Sequence, residues 1–292
     1  MRSRSRLAAL CAAALTTALA ASAAVTGTGS AAASAAATTA ALPGYSHVVV
    51  VMEENHSFDD IIGDTADAPY INSLADQGAL MTSSFGVSHP SEPNYMALFG
   101  GSTFGLSSDS CPVSEGSTAN LGSELLASGR TFVGYSEGLP SVGSTKCTSG
   151  AYARKHAPWA NFSNIPAADQ QPFSSFPSNF NNLPTVSFVI PNLNDDMHDG
   201  SIAQGDSWLN NHLSAYADWA TQNNSLLIVT WDEDDYTESN QIPTIFYGAG
   251  VAAGQYSETI NHYNVLATLE QMYGLKQVGN SATAAPITDI WG

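Results

Sequence analysis

Short apolar runs recur along the chain with helix-patterned segments between them, and this alternation constrains the fold more than any other feature. HVVVVM (47–52), ALMTSSF (79–85), TFVGY (131–135), TVSFVI (185–190), LLIVTW (226–231) and IPTIFY (242–247) read as strands. Helical patterns occupy Pro69–Gly78, Tyr95–Phe99, Leu121–Ser128, Gln204–Thr221 and Asn261–Tyr273, the last closing on Gly274 as a C-cap. Gln204–Thr221 repeats Trp208, Leu209, His212, Leu213, Tyr216 and Trp219 at spacings of three and four, which gives one apolar face. HVVVVM does not alternate, so both faces of that strand need cover. The expected architecture is α/β: a three-layer α/β/α sandwich around a mostly parallel sheet. Residues 136–182, rich in Ser, Pro, Asn and Phe without clear period, predict a long surface excursion anchored by a disulfide.

The first 42 residues stand outside this pattern. They hold at least sixteen alanines, open with Arg2, Arg4 and Arg6, and contain no acid. A basic start, an apolar stretch from Leu7 to Ala20 and small residues after it predict a secretory signal peptide, with a cleavage site at Ala21-Ser22-Ala23 and a flexible lead-in. The apolar stretch is too short for stable membrane insertion. Residues 43–292 are then expected to form a single domain of a secreted, extracellular protein, by default a monomer. Without the leader, five Lys/Arg face 26 Asp/Glu, a formal charge of about −21. That excludes a general nucleic-acid surface, which needs clustered cations, and disfavours adhesion to anionic membranes. Two cysteines remain, Cys111 and Cys147. In an oxidising compartment such a pair is most simply one disulfide, with two buried thiols as the alternative.

In open α/β sheets, sites form beyond the carboxyl ends of the strands. Polar clusters follow the strands there: Glu53-Glu54-Asn55-His56, Ser88 through Asn94, Asn192 through Gly200, and Asp232 through Asp235, with His262 heading the last helix. Converging carboxylates repel one another without a cation. Oxygen donors favour one hard divalent ion, Ca²⁺, Mg²⁺ or Mn²⁺, and the histidines keep Zn²⁺ or Fe open. The alternative for Asp232–Asp235 is a solvated acidic turn. It is not an EF-hand, since Thr237 and Pro243 stand where Gly and Glu are required.

Ser91 lies between a strand and a helix, where helical N–H groups welcome an anion, and Asn94 follows one turn on. Simple capping by Ser91 is the alternative. His198, flanked by Asp196 and Asp199, and His262 are candidate proton donors; His56, His89 and His156 are weaker ones. Arg154-Lys155-His156, the one basic cluster past the leader, either guides an anionic substrate or is ordinary surface charge. Gly205-Asp206-Ser207 looks like an esterase block, but its place at a helix start suits capping by Asp206 or Ser207, and no G-x-S-x-G elbow occurs.

The blocks EENHSFD (53–59), HPSEPNYMALFGG (89–101), DMHDG (196–200), TWDEDD (230–235) and HYNVLATLEQMYGL (262–275) resemble, in this order, the phosphoesterase family of acid phosphatases and phospholipases C, within the alkaline-phosphatase superfamily. The resemblance implies an alkaline-phosphatase-like fold. It makes Ser91 the nucleophile, Asn94 a phosphate-oxygen donor, and Glu54, Asn55, Ser91, Asp232 and Glu233 the metal ligands. His198 and His262 then line the phosphate pocket. Asp196 and Asp199 stand either behind those ligands or at a second metal, and His89, Arg154, Lys155 and His156 remain as further substrate contacts. The superfamily's Asp-His-Gly ligand block is replaced here by Asp232-Glu233-Asp234, which favours one metal over two.

The implied activity is that of a secreted acid phosphatase. It would hydrolyse phosphate monoesters, including phosphoinositide headgroups, through a metal-activated serine and a phosphoseryl intermediate. The alternatives are a phospholipase C-type phosphodiesterase and a non-catalytic secreted Ca²⁺-binding module. Sulfate ester hydrolysis is weakened by the lack of a Cys/Ser-x-Pro-x-Arg block.

Overall fold

The computed structural model describes residues 41–292; the leader expected at the start of the chain lies, apart from its last two residues, outside them. In chain order the elements are β1 (His47–Glu53), α1 (Phe58–Ile61), α2 (Pro69–Gln77), β2 (Ala79–Phe85), α3 (Ser91–Gly100), α4 (Leu121–Ala127) and β3 (Phe132–Ser136). A small hairpin of β4 (Thr148–Ser149) and β5 (Tyr152–Ala153) precedes β6 (Gln170–Pro172), β7 (Val186–Ile190), α5 (Ile202–Ala220) and β8 (Ser225–Trp231). β9 (Gln241–Ile242), β10 (Thr244–Gly248), β11 (Gly254–Asn261) and α6 (His262–Tyr273) complete the chain.

The main sheet runs β11-β2-β10-β8-β1-β7-β3-β6, with β9 added against β2. Only β9 and β10 oppose the common direction. β1 is central and parallel to both neighbours, β7 and β8. Its Val48, Val50 and Met52 pack in one core, and Val49 and Val51 in the other. That two-sided burial is why the strand reads as an unbroken valine run. α3, α4 and α6 form one layer and α2 and α5 the other. The result is the three-layer α/β/α sandwich with a mostly parallel sheet.

Several boundaries differ from expectation. The strand expected over 242–247 is broken at Pro243, which has no N–H to give the ladder. β11 escaped the sequence reading because GQYSETIN is mostly polar; as an edge strand it is covered on one side only. Residues 136–182 are not confined to the surface: β6 extends the sheet, and Trp159 and Phe162 are core residues. Trp159 lies flat on Gly134, where a Cβ would come within 2.1 Å of its ring. Asp206 does not cap its own helix, which Ser201 caps; it reaches across to accept from Ile71 N at the start of α2, at 2.8 Å. Gly274 does close α6 in a left-handed turn, φ 61°.

Candidate active site

Parallel pairing assembles the site. Glu53 of β1 lies opposite Trp231 of β8, so Glu54 and Asp232 leave the sheet side by side. Asp232 N donates to Glu53 O at 3.0 Å, and Glu54 N to Asp196 O at 2.8 Å, which draws in the segment after β7. From α3, Ser91 Oγ lies 3.0 Å from Glu54 Oε2 and 3.3 Å from Glu233 Oε1. Ser91 is the first helical residue, after Pro90, and its side chain makes no capping bond. Its hydroxyl faces carboxylates, so the capping alternative does not hold, and the buried Asp232 and Glu233 are no solvated turn.

His156 is the residue whose place the sequence least suggested. It is buried, its ring stacks on Tyr95 with centroids 4.8 Å apart, and Nδ1 lies 3.1 Å from Asp196 Oδ2. Burial, with Lys155 and His198 nearby, holds its pKa well below the ordinary value, so the ring is neutral. Burial and the Asp232 and Asp196 charges raise Glu54 well above the carboxylate range. Burial chiefly pushes Asp196 and Asp232 up to about 7, and Glu233, also facing Asp232, up to about 9.

Lys155 is the cation at this mouth. Its Nζ bonds Asp109 Oδ2 at 2.8 Å and His198 Nε2 at 3.1 Å. Burial disfavours its charge, but Glu54 and Asp109 outweigh that and raise its pKa. The ammonium donates to Nε2, so His198 turns Nδ1–H to Asp199 Oδ1 at 2.7 Å. Asp109 also accepts from Glu92 N at the start of α3, at 3.0 Å. Cys111 and Cys147 form a disulfide that ties the Asp109 loop to the start of the β4–β5 hairpin, which leads into Lys155.

Other expected residues take supporting places. Asn94 Oδ1 accepts from Val87 N and Ser88 N, and Nδ2 donates to Ser88 O and Pro90 O, so its amide holds the loop before Ser91. His262 is buried with Nε2 bonded to Asp232 O at 2.7 Å, and burial lowers its pKa to about 4. Arg154 is no surface guide: it is buried, and its terminal nitrogens donate to Thr145 O, Val113 O, Ala160 O and Asn161 Oδ1. His89 Nδ1 meets Glu233 Oε2 at 2.5 Å and Nε2 meets Asp234 Oδ1 at 3.2 Å. Asp109 went unread because SSDSCP carries no motif. A cavity of about 720 Å³ beside α5, lined by Phe173, Phe176, Phe180 and His212 among others, contains none of these residues.

The donor atoms suit a divalent cation. Glu54 Oε1, Asn55 Oδ1, Asp232 Oδ2 and His156 Nε2 are buried acceptor atoms without hydrogen bonds. Buried acceptors in that state are costly unless a cation or proton satisfies them. Ligand atoms of Glu54, His156 and Asp196 all lie within 4.8 Å of one another. A cluster of Glu, His and Asp is therefore in place to hold a metal ion.

The helical layers on a mostly parallel sheet are a fold shared with solved structures of the alkaline-phosphatase superfamily. A protein of that superfamily from Vibrio parahaemolyticus superposes with a TM-score of 0.59 at 14% identity, over 84% of this chain and 72% of that one. A phosphonate monoester hydrolase from Silicibacter pomeroyi gives 0.54 at 11%, over 83% and 76%. The phosphoesterase family profile matches residues 64–276, and the chain belongs to that family. A phosphatidylinositol-3-phosphatase of Mycobacterium tuberculosis is 64% identical over 255 residues, 87% of this chain and 85% of the relative. An acid phosphatase of Aspergillus fumigatus is 29% identical over 257 residues, 81% of this chain and 57% of that protein.

Proposed function

We propose that the chain is a secreted acid phosphatase that hydrolyses phosphate monoesters, phosphoinositide headgroups among them, with Ser91 as nucleophile. The observation that carries this is the Ser91 hydroxyl at the start of α3, turned toward Glu54 and Glu233. The named activities of the Mycobacterium and Aspergillus relatives support the reaction, and the former's name supports the headgroup. Residues 43–292 act as one catalytic domain, with residues 1–42 as a removable leader.

Glu54, Asn55, Ser91, Asp232 and Glu233, together with His156 and Asp196, would hold one metal. A bound divalent cation supplies positive charge that offsets the carboxylates and favours the Ser91 alkoxide. The Ser91 proton leaves to the carboxylate pair that Oγ faces. Oγ then attacks phosphorus, the bond to the leaving oxygen breaks, and a phosphoserine forms. Lys155 bears charge on the phosphoryl oxygens. Once Lys155 turns from His198 Nε2 to the phosphoryl oxygens, that nitrogen is free to carry the proton that passes to the leaving alkoxide. Water attacks the phosphoserine and releases phosphate. His262, Asn94 and Asp109 hold Asp232, the Ser91 loop and Lys155 in place.

The test is turnover of an aryl phosphate monoester and its matching diester by residues 43–292 between about pH 4 and 9, with divalent metal supplied. Monoester turnover that is fastest on the acid side is expected. Diester turnover alone would move the assignment to phospholipase C chemistry, and turnover of neither would favour a binding module.

A further inference from the structure

A second feature stands at the mouth of the site. Tyr236 is 70% exposed, the more exposed of the two large hydrophobic side chains that face solvent among the described residues. Its ring stacks on His89, with centroids 3.9 Å apart and planes 21° apart. The backbone holding it is strained: Tyr236, Ser239 and Asn240 have φ of 70°, 58° and 64°, a region residues with a Cβ seldom occupy. Buried Asp234 fixes that shape by accepting from Tyr236 N, Glu238 N and Asn240 N. Asn240 Nδ2 donates to Ser88 O, which clasps this turn to the loop before Ser91. The ring covers His89 and is otherwise presented to solvent.

His89, Asp234, Tyr236, Ser239 and Asn240 line a cavity of about 290 Å³. It adjoins the nucleophile through one side chain, since Glu233 meets Ser91 Oγ with Oε1 and His89 Nδ1 with Oε2. A phosphoryl group on Ser91 Oγ would therefore have this cavity one side chain away. Its walls pair the Tyr236 ring with the Ser239 hydroxyl, the Asp234 and Asn240 side chains being committed to the turn itself. An aromatic face attracts ring C–H groups through its negative quadrupole, and a free hydroxyl exchanges hydrogen bonds with ring hydroxyls.

We infer that this cavity is the leaving-group subsite, with Tyr236 as the platform for a cyclic polyol, and that it selects cyclic polyol phosphates over acyclic ones. The inference rests on the phosphomonoesterase reading and names that site's substrate class. Tyr236 is a specificity residue here and takes no part in bond breaking.

The experiment compares kcat/KM for myo-inositol 1-phosphate with that for glycerol 2-phosphate in the wild type, Tyr236→Ala and Tyr236→Phe. The cyclic-to-acyclic ratio is expected to fall about five- to tenfold in Tyr236→Ala, mainly through KM, and to be kept in Tyr236→Phe. An unchanged ratio in Tyr236→Ala overturns the subsite, as does an equal fall in Tyr236→Phe. If the wild type turns over neither ester, the phosphomonoesterase reading fails. Calorimetric binding of myo-inositol 1-phosphate to Ser91→Ala, with and without Tyr236→Ala, then decides the subsite alone. About fivefold weaker binding in the double variant upholds it, and equal binding overturns it.

Discussion

His156 Nε2 faces Glu54 Oε1 at 3.1 Å, and neither atom has a hydrogen bond. The neutral ring turns Nδ1 to Asp196, so its Nε2 lone pair meets a carboxylate oxygen. Two acceptors at that distance need a proton or a cation between them.

Removing the imidazole should therefore weaken metal binding. His156→Ala is expected to lower affinity for Mn²⁺ or Zn²⁺ by at least about tenfold, a loss typical of groups that set a metal site. Calorimetric titration of the chelated protein checks this. Wild-type affinity in the variant would mean that His156 holds only a proton.

Stability should depend on pH in a direction set by the same carboxylates. Asp196 and Asp232 are raised to about 7 and Glu233 to about 9. Their folded forms keep protons that the unfolded chain has lost, so the stability these three groups contribute to the chelated protein is fullest below about pH 4 and is lost as pH rises toward 9. A divalent ion replaces those protons. The rise in Tm on adding Mn²⁺ should be larger at pH 8.5 than at pH 5, and an equal rise at both would count against a cation among these groups.

Lys155 lies against both Asp109 and His198. Lys155→Met should lower kcat/KM on an aryl phosphate by about 10²-fold, the scale of one lost charge-stabilising donor. It should also weaken competitive inhibition by inorganic phosphate. Unchanged phosphate inhibition would place Lys155 in a structural role.

Gly134 gives a packing test away from the chemistry. A Cβ there would lie 2.1 Å from Trp159 Cε2, and the ring is buried. Gly134→Ala should cost about 1–3 kcal/mol in urea unfolding. A wild-type midpoint would show that the Trp159 segment moves freely on the sheet.

The layers were legible in the sequence because their residues are specialised by burial: Val48–Val51 reads as a central strand, and Trp208 through Trp219 reads as a helix face. The clusters at Glu54, Ser91 and Asp232 were legible because parallel strands bring their carboxyl ends together, and the family resemblance supplied roles. His156 and Asp109 were not, because they sit in segments without period and reach the site only through loop packing. The type of Asn94 was visible while its bonds were not: its amide is committed to Val87, Ser88 and Pro90. Arg154, beside Lys155 in sequence, points the other way into a nest of carbonyls, an orientation that no local pattern encodes.

The central claim is that Ser91 is the nucleophile, and turnover of an aryl phosphate monoester by Ser91→Ala tests it most directly. With metal supplied and folding confirmed, kcat should fall by at least about 10³-fold from wild type. A variant within about tenfold of wild type would contradict the account, since the attacking oxygen would have to come from elsewhere.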